Sequence, residues 1–189
     1  MLNRYSGASG FTLIELMIAV SLLGVLLAIG VPAMRDWITN TQINTAAEAI
    51  NNGLQLARSE AVRRNTNVHF TLGTNSAWIV GCETIQADND GDGVDDCPGI
   101  IQTRLAVETT QVIVNVTPAG AGMVTFGPLG RVTVNADTSQ PITQLDVSVP
   151  DSVIDPAVRR DMRVLVSGGS VRLCKPSLSL SNDPRACPP

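Results

Sequence analysis

Asp88, Asp90, Asp92 and Asp96 occupy places one, three, five and nine of the run Asp88-Asn89-Asp90-Gly91-Asp92-Gly93-Val94-Asp95-Asp96, with Gly93 at place six. Carboxylates at that spacing, with a glycine for the sharp turn, gather oxygen ligands around a hard cation as the front half of a calcium loop does. The bidentate glutamate of such loops at place twelve is replaced by Gly99. Two readings stay open, a weak calcium site and a solvated acidic turn. The cysteines form two local pairs, Cys82 with Cys97 and Cys174 with Cys187, with fourteen and twelve residues between the members. Neither pair has the short spacing by which one turn presents two thiolates to zinc. Disulfides are therefore expected, with their connectivity open although local pairing closes the shortest loops, and with them an oxidising compartment. His69, the only histidine, alternates with Val68 and Phe70 as a strand residue does. No Ser, Cys or carboxylate pair has a recognisable catalytic spacing, so no enzyme is expected.

The elements that position these groups follow from composition and pattern. In 189 residues the apolar fraction is 44%, charged residues make up 16% and aromatics 3%. Burial must then rely on Val, Ile, Leu and Ala. The net charge of -4 is unevenly spread: residues 65–150 carry -7 and residues 151–189 carry +2. Clustered arginine and lysine neutralise phosphates, which makes Arg172, Lys175 and Arg185 candidate contacts for nucleic acid. The four aspartates interspersed in that tail weaken its field, and solvated charge is the favoured reading.

Residues 16–34 are free of charge. With Phe11 to Glu15 they form, as a helix, a stretch of about 36 Å, enough for a bilayer core of about 30 Å. Ala28-Ile29-Gly30 resembles the cleavage site of a removable signal peptide. Two features argue for an anchor that is kept. Glu15 stands at the leading edge of the apolar run, where a carboxylate is expensive and is retained for a function. Helical periodicity also continues beyond the run through Ile43, Ala47, Ile50, Leu54, Ala57 and Ala61, which makes one apolar stripe and predicts a helix to about Arg64. Glu60 and Arg64, spaced i to i+4, are expected to pair on its outer face. Pro32, preceded by Gly24 and Gly30, lacks a helical amide, and a bend is expected there.

The run Gly10-Phe11-Thr12-Leu13-Ile14-Glu15, behind a short leader holding Arg4, resembles the class III signal of type IV pilins and type II secretion pseudopilins. The resemblance implies a prepilin peptidase that cuts between Gly10 and Phe11 and methylates the new amino group. It also implies that Glu15 neutralises the Phe11 amine of an adjacent subunit. Pairing removes much of the penalty that each charge meets in an apolar filament core.

From about Asn67 the period changes to two. Residues 67–72, 77–80, 112–116, 123–126, 131–134, 145–149, 162–167 and 171–174 read as strands. The expected fold is α+β: a long N-terminal helix, its first half transmembrane, packed on a mostly antiparallel β-sheet head. The expected divisions are 1–10 leader, 11–34 membrane and filament-core helix, 35–64 amphipathic helix and 65–189 head.

Leu56-Ala57-Arg58-Ser59-Glu60-Ala61, Trp78-Ile79-Val80, Phe126-Gly127-Pro128-Leu129-Gly130-Arg131 and the tail from Val171-Arg172-Leu173-Cys174 to Asp183-Pro184-Arg185-Ala186-Cys187 resemble, in that order, the head of the GspH/FimT family. This implies a minor pilin that primes a type IV pilus, or alternatively a tip pseudopilin of type II secretion. The implied partners are other pilins or pseudopilins, the peptidase and an inner-membrane assembly platform. The implied location is the inner membrane, single-pass with the head in the periplasm, and then the filament. DNA-binding FimT-like subunits are a second alternative; of their Gly-Arg-x-Arg pattern the chain has Gly169-Ser170-Val171-Arg172, without the first arginine.

Overall fold

The structure is a computed structural model that describes residues 11–88, 96–107, 109–179 and 183–188. It divides into two compact units, residues 1–37 and 38–189. Helix α1 (Leu13–Arg64) contributes to both.

In the second unit the stripe read from the sequence is the helical side of the core: Ile43, Ala47, Ile50, Leu54, Ala57 and Ala61 are all fully buried, with Ala46 between them. α1 ends because Asn65 takes a left-handed φ of 52°. The amide of Asn65 then reaches the Val62 carbonyl and that of Thr66 the Ala61 carbonyl, at 3.3 and 3.2 Å. This is the Schellman arrangement that satisfies last-turn carbonyls, and asparagine tolerates the φ it demands.

The strands are β1 (Val68–Leu72), β2 (Trp78–Cys82), β3 (Gln102–Arg104), β4 (Ile113–Thr117), β5 (Met123–Phe126), β6 (Val132–Thr133), β7 (Gln144–Ser148), β8 (Met162–Ser167) and β9 (Ser170–Cys174). They form two sheets, β3-β2-β1-β5-β6 and β4-β7-β8-β9. All their pairings are antiparallel. The expected antiparallel β head is thus built from two sheets. β3 was absent from the expectation because Gln102-Thr103-Arg104 has no apolar alternation, and its place comes from pairing with β2.

In register, Val68 faces Cys82 and Phe126, and Phe70 faces Val80 and Val124. These side chains share one face and are buried with the α1 stripe. Leu145 and Val147 of β7 and Val164 and Val166 of β8 present the inner face of the second sheet to the same core. Both sheets therefore hang on one helix, and that arrangement positions the surface features of the head.

Candidate functional site

In the first unit Thr12 precedes α1, and its Oγ1 accepts the amide of Glu15 at 3.3 Å. A threonine followed three residues later by glutamate is a helix N-terminus signal, and the carboxylate lies where the helix dipole favours negative charge. Phe11, Leu13, Ile14 and the apolar side chains after them are exposed. This part of the helix is long and apolar enough to cross a membrane, and none of its most apolar window is buried. Gly10 lies outside the described residues. Gly24 and Gly30 both lie within α1, and apart from the adjoining helix backbone and the adjacent residues nothing lies within 4 Å of where a Cβ would stand. Pro32 falls in the same helical span.

In the second unit all four cysteines are paired, Cys82 with Cys97 and Cys174 with Cys187, at Cα separations of 5.7 and 4.9 Å. That excludes the tetrathiolate zinc site. Cys82–Cys97 closes the acidic loop at its base. There Gln86 and Cys97 exchange main-chain bonds of 3.0 and 3.2 Å, and the Arg64 guanidinium donates to the Asp96 carbonyl. Glu60 accepts from Arg63 at 2.6 Å and from Arg64 at 2.7 Å. Burial pushes the Glu60 carboxyl up, but the hydrogen bonds and charges of the two arginines outweigh it and hold the group below its ordinary range. Of the calcium candidates, Asp88 and Asp96 are described, whereas Asp90 and Asp92 lie outside the described residues. Among the described residues no three carboxylate, His or Cys side chains converge as a metal site.

Much of the tail's positive charge is met locally. Arg163 pairs with Asp146, and Arg159 bridges Asp151 and Asp161. Arg185 pairs with Asp183 at 2.6 Å and, by its hydrogen bond, holds that carboxyl down at about 2. Arg172 is exposed on β9, opposite Leu165. The Lys175 amide donates to the Arg185 carbonyl at 2.8 Å, so disulfide and main chain together fasten the tail beside β9. Arg172, Lys175 and Arg185 therefore lie in one region, with Arg185 already engaged by a carboxylate.

Two clamps were not legible in the sequence. The Asn40 carboxamide donates to the Val158 carbonyl at 3.1 Å and accepts the Arg160 amide at 2.8 Å, which ties α1 to the loop before β8. The turn after β5 closes by Gly130 N–H to the Gly127 carbonyl at 2.8 Å, and Arg58 Nε donates to the Gly130 carbonyl at 3.2 Å. Gly169, at φ +127°, passes so close that a Cβ would lie 2.5 Å from that same carbonyl. The fragments around Arg58 and Gly130 that resemble a known head thus meet, together with the β8–β9 turn at Gly169, at one junction of helix and both sheets. Their signal was order along the chain, with no pattern in spacing that gives a reason.

The family model described as "Type II transport protein GspH" matches residues 46–170, and that described as "Prokaryotic N-terminal methylation motif" matches residues 5–31. Over 78 residues the chain is 45% identical to the type IV major fimbrial protein FimA of Dichelobacter nodosus, covering 39% of this chain and 44% of that one. Over 53 residues it is 42% identical to a fimbrial protein of Pseudomonas aeruginosa, covering 28% and 34%. The chain spans less than half the length of these relatives. Among solved structures it is similar to the type IV minor pilin FimU of Pseudomonas aeruginosa, with a TM-score of 0.47 and 16% identity over 78% of this chain and 96% of that one.

Proposed function

Because the chain belongs to the GspH family, whose model matches residues 46–170, we propose that it is a minor pilin that enters a type IV pilus and primes its assembly. The observation that carries this reading is the N-terminal methylation motif over residues 5–31, set on an exposed apolar helix with Glu15 in its first turn. In this reading prepilin peptidase cuts after Gly10 and methylates Phe11. The Phe11 to Met34 segment anchors the precursor in the inner membrane, with the head in the periplasm, and then joins the helical core of the filament.

An apolar core charges heavily for a lone ammonium or carboxylate, and pairing the two removes much of both penalties. Glu15 of one subunit and the Phe11 amine of the next then meet in only one register. The Gly24, Gly30 and Pro32 stretch supplies the part of the helix that yields during packing. The partners are other major and minor pilins and the inner-membrane assembly platform.

A second reading, a pseudopilin of a type II secretion machine, is favoured by the description of the matching family. It uses the same physics in another filament. DNA binding through Arg172 and Lys175 is less favoured, because Arg159, Arg163 and Arg185 are neutralised within the head.

Mass spectrometry of the chain recovered from membranes and from sheared filaments tests the proposal. It is expected to begin at N-methylated Phe11; a mature chain that begins after residue 30 would contradict retention of the helix. Deleting the gene separates the machines: loss of piliation marks the pilus, loss of exoprotein release the secretion system.

A further inference from the structure

β4 is the outermost strand of its sheet. Thr143 donates both its amide and its Oγ1 to the Thr117 carbonyl, at 2.9 and 3.0 Å, so the main chain of Thr117 turns toward β7. Successive strand residues direct their amides and carbonyls to opposite sides. Ile113 and Asn115 therefore also face β7, and the N–H and C=O groups of Val114 and Val116 point outward, where no described strand lies.

The other edges carry the usual defences against strand addition. β3 is three residues long and includes Arg104, and β6 is two residues long. β9 carries Arg172, and the disulfide-bound tail bridges alongside at Lys175 and Ala186. Ile113-Val114-Asn115-Val116-Thr117 has five residues without charge, proline or glycine. It is also symmetric about Asn115: valine flanks it on both sides, and a β-branched residue stands beyond each valine.

We propose that β4 is a self-complementary docking edge, on which a second copy of this chain pairs its own β4 antiparallel about Asn115. A strand that reads alike in both directions satisfies the isologous condition, since each contact occurs twice. In that register Val114 lies opposite Val116 of the second copy, and the two exchange both of their outward N–H···O bonds. Ile113 lies opposite Thr117 of the second copy. The two Asn115 residues face each other in a non-hydrogen-bonded position, where Cα atoms approach to about 4.5 Å. No like charges oppose one another across the joint. The two four-stranded sheets then continue as one, and Val114 and Val116, half-buried in a single copy, gain apolar neighbours.

The register makes a sharp test. In the full chain in detergent micelles, under mild oxidation, Asn115→Cys is expected to form a reducible dimer at least several-fold faster than Thr117→Cys, because only residue 115 meets itself. Mixed Ile113→Cys and Thr117→Cys chains are expected to crosslink to each other. Association through the apolar helix would not distinguish these positions. The double variant Ile113→Lys/Thr117→Lys places ammonium groups opposite each other and is expected to abolish the Asn115→Cys crosslink while leaving the melting curve in place. Equal rates for Asn115→Cys and Thr117→Cys, or a monomer throughout, would overturn the proposal.

Discussion

Gly53 of α1 lies against the indole of Trp78: a Cβ on Gly53 would stand 2.8 Å from Cδ2 and Cε2 of that ring, and 2.9 Å from the Phe70 ring. A glycine inside a helix costs up to about 1 kcal/mol relative to alanine. Here it admits the large aromatic of β2 to the helix surface. Gly53→Ala is therefore expected to destabilise the head by about 1–2 kcal/mol despite its better helix propensity, since overpacking costs about 1–3 kcal/mol. Gly53→Val is expected to cost more. Denaturant unfolding followed by Trp78 fluorescence in a Trp37→Phe background checks this, and the emission should shift in both variants.

Asn40 satisfies one main-chain donor and one acceptor of the loop before β8 with a single carboxamide. Asn40→Ala leaves the Arg160 amide and the Val158 carbonyl without that partner, and a net loss of about 1–2 kcal/mol is expected. Asn40→Asp keeps the acceptor for Arg160 and loses the donor to Val158, so it should fall between alanine and the parent. Hydrogen exchange at the Arg160 amide, faster in Asn40→Ala, separates this local release from general loosening.

His69 lies half-buried between Gly81 and Thr125 on the face of its sheet away from the helix. Burial pushes its ring below the ordinary 6.5, and the nearby Glu83 carboxylate opposes that shift. The native state thus binds its proton less readily than the unfolded chain, so stability from this group is full above about 6.5 and is lost as the pH falls through the lowered value. NMR titration is expected to place His69 below 6.5. Glu83→Gln should lower it further, and His69→Gln should remove that part of the pH dependence of unfolding.

Gly169 holds a φ of +127°, and its backbone leaves no room for a Cβ against the Gly130 carbonyl. Strain of that kind costs about 1–3 kcal/mol before the clash is added. Gly169→Ala should therefore lower the melting temperature clearly, whereas Arg172→Ala, on the exposed side of β9, should leave it nearly unchanged. The outcome would separate the structural role of this segment from any role of its charge.

The helix and its buried stripe were legible because a period of 3.6 survives from Ile43 to Ala61 without interruption, and Arg64 closes the helix where the pattern fades. The Glu60–Arg64 pair followed from spacing alone, although Arg63 shares the same carboxylate. Strands with apolar alternation, such as Met162–Ser167, were placed with their ends. Gln102–Arg104 was not, because a short polar edge strand leaves no periodic mark. The division into two sheets was hidden for a related reason: alternation shows that a strand has an inner face, and it does not show which strand is its neighbour. The Asn40 clamp and the Arg58–Gly130 bond join residues far apart in the chain, where local pattern carries no information.

The N-terminal chemistry yields the most direct test. We would measure the amount of this chain in sheared filaments from cells carrying Glu15 or Glu15→Ala, at equal membrane levels of each. The account predicts that the parent chain is incorporated and that the alanine variant is depleted several-fold, because a methylated Phe11 amine without its carboxylate cannot be paired in an apolar core. Equal incorporation of Glu15→Ala would contradict it.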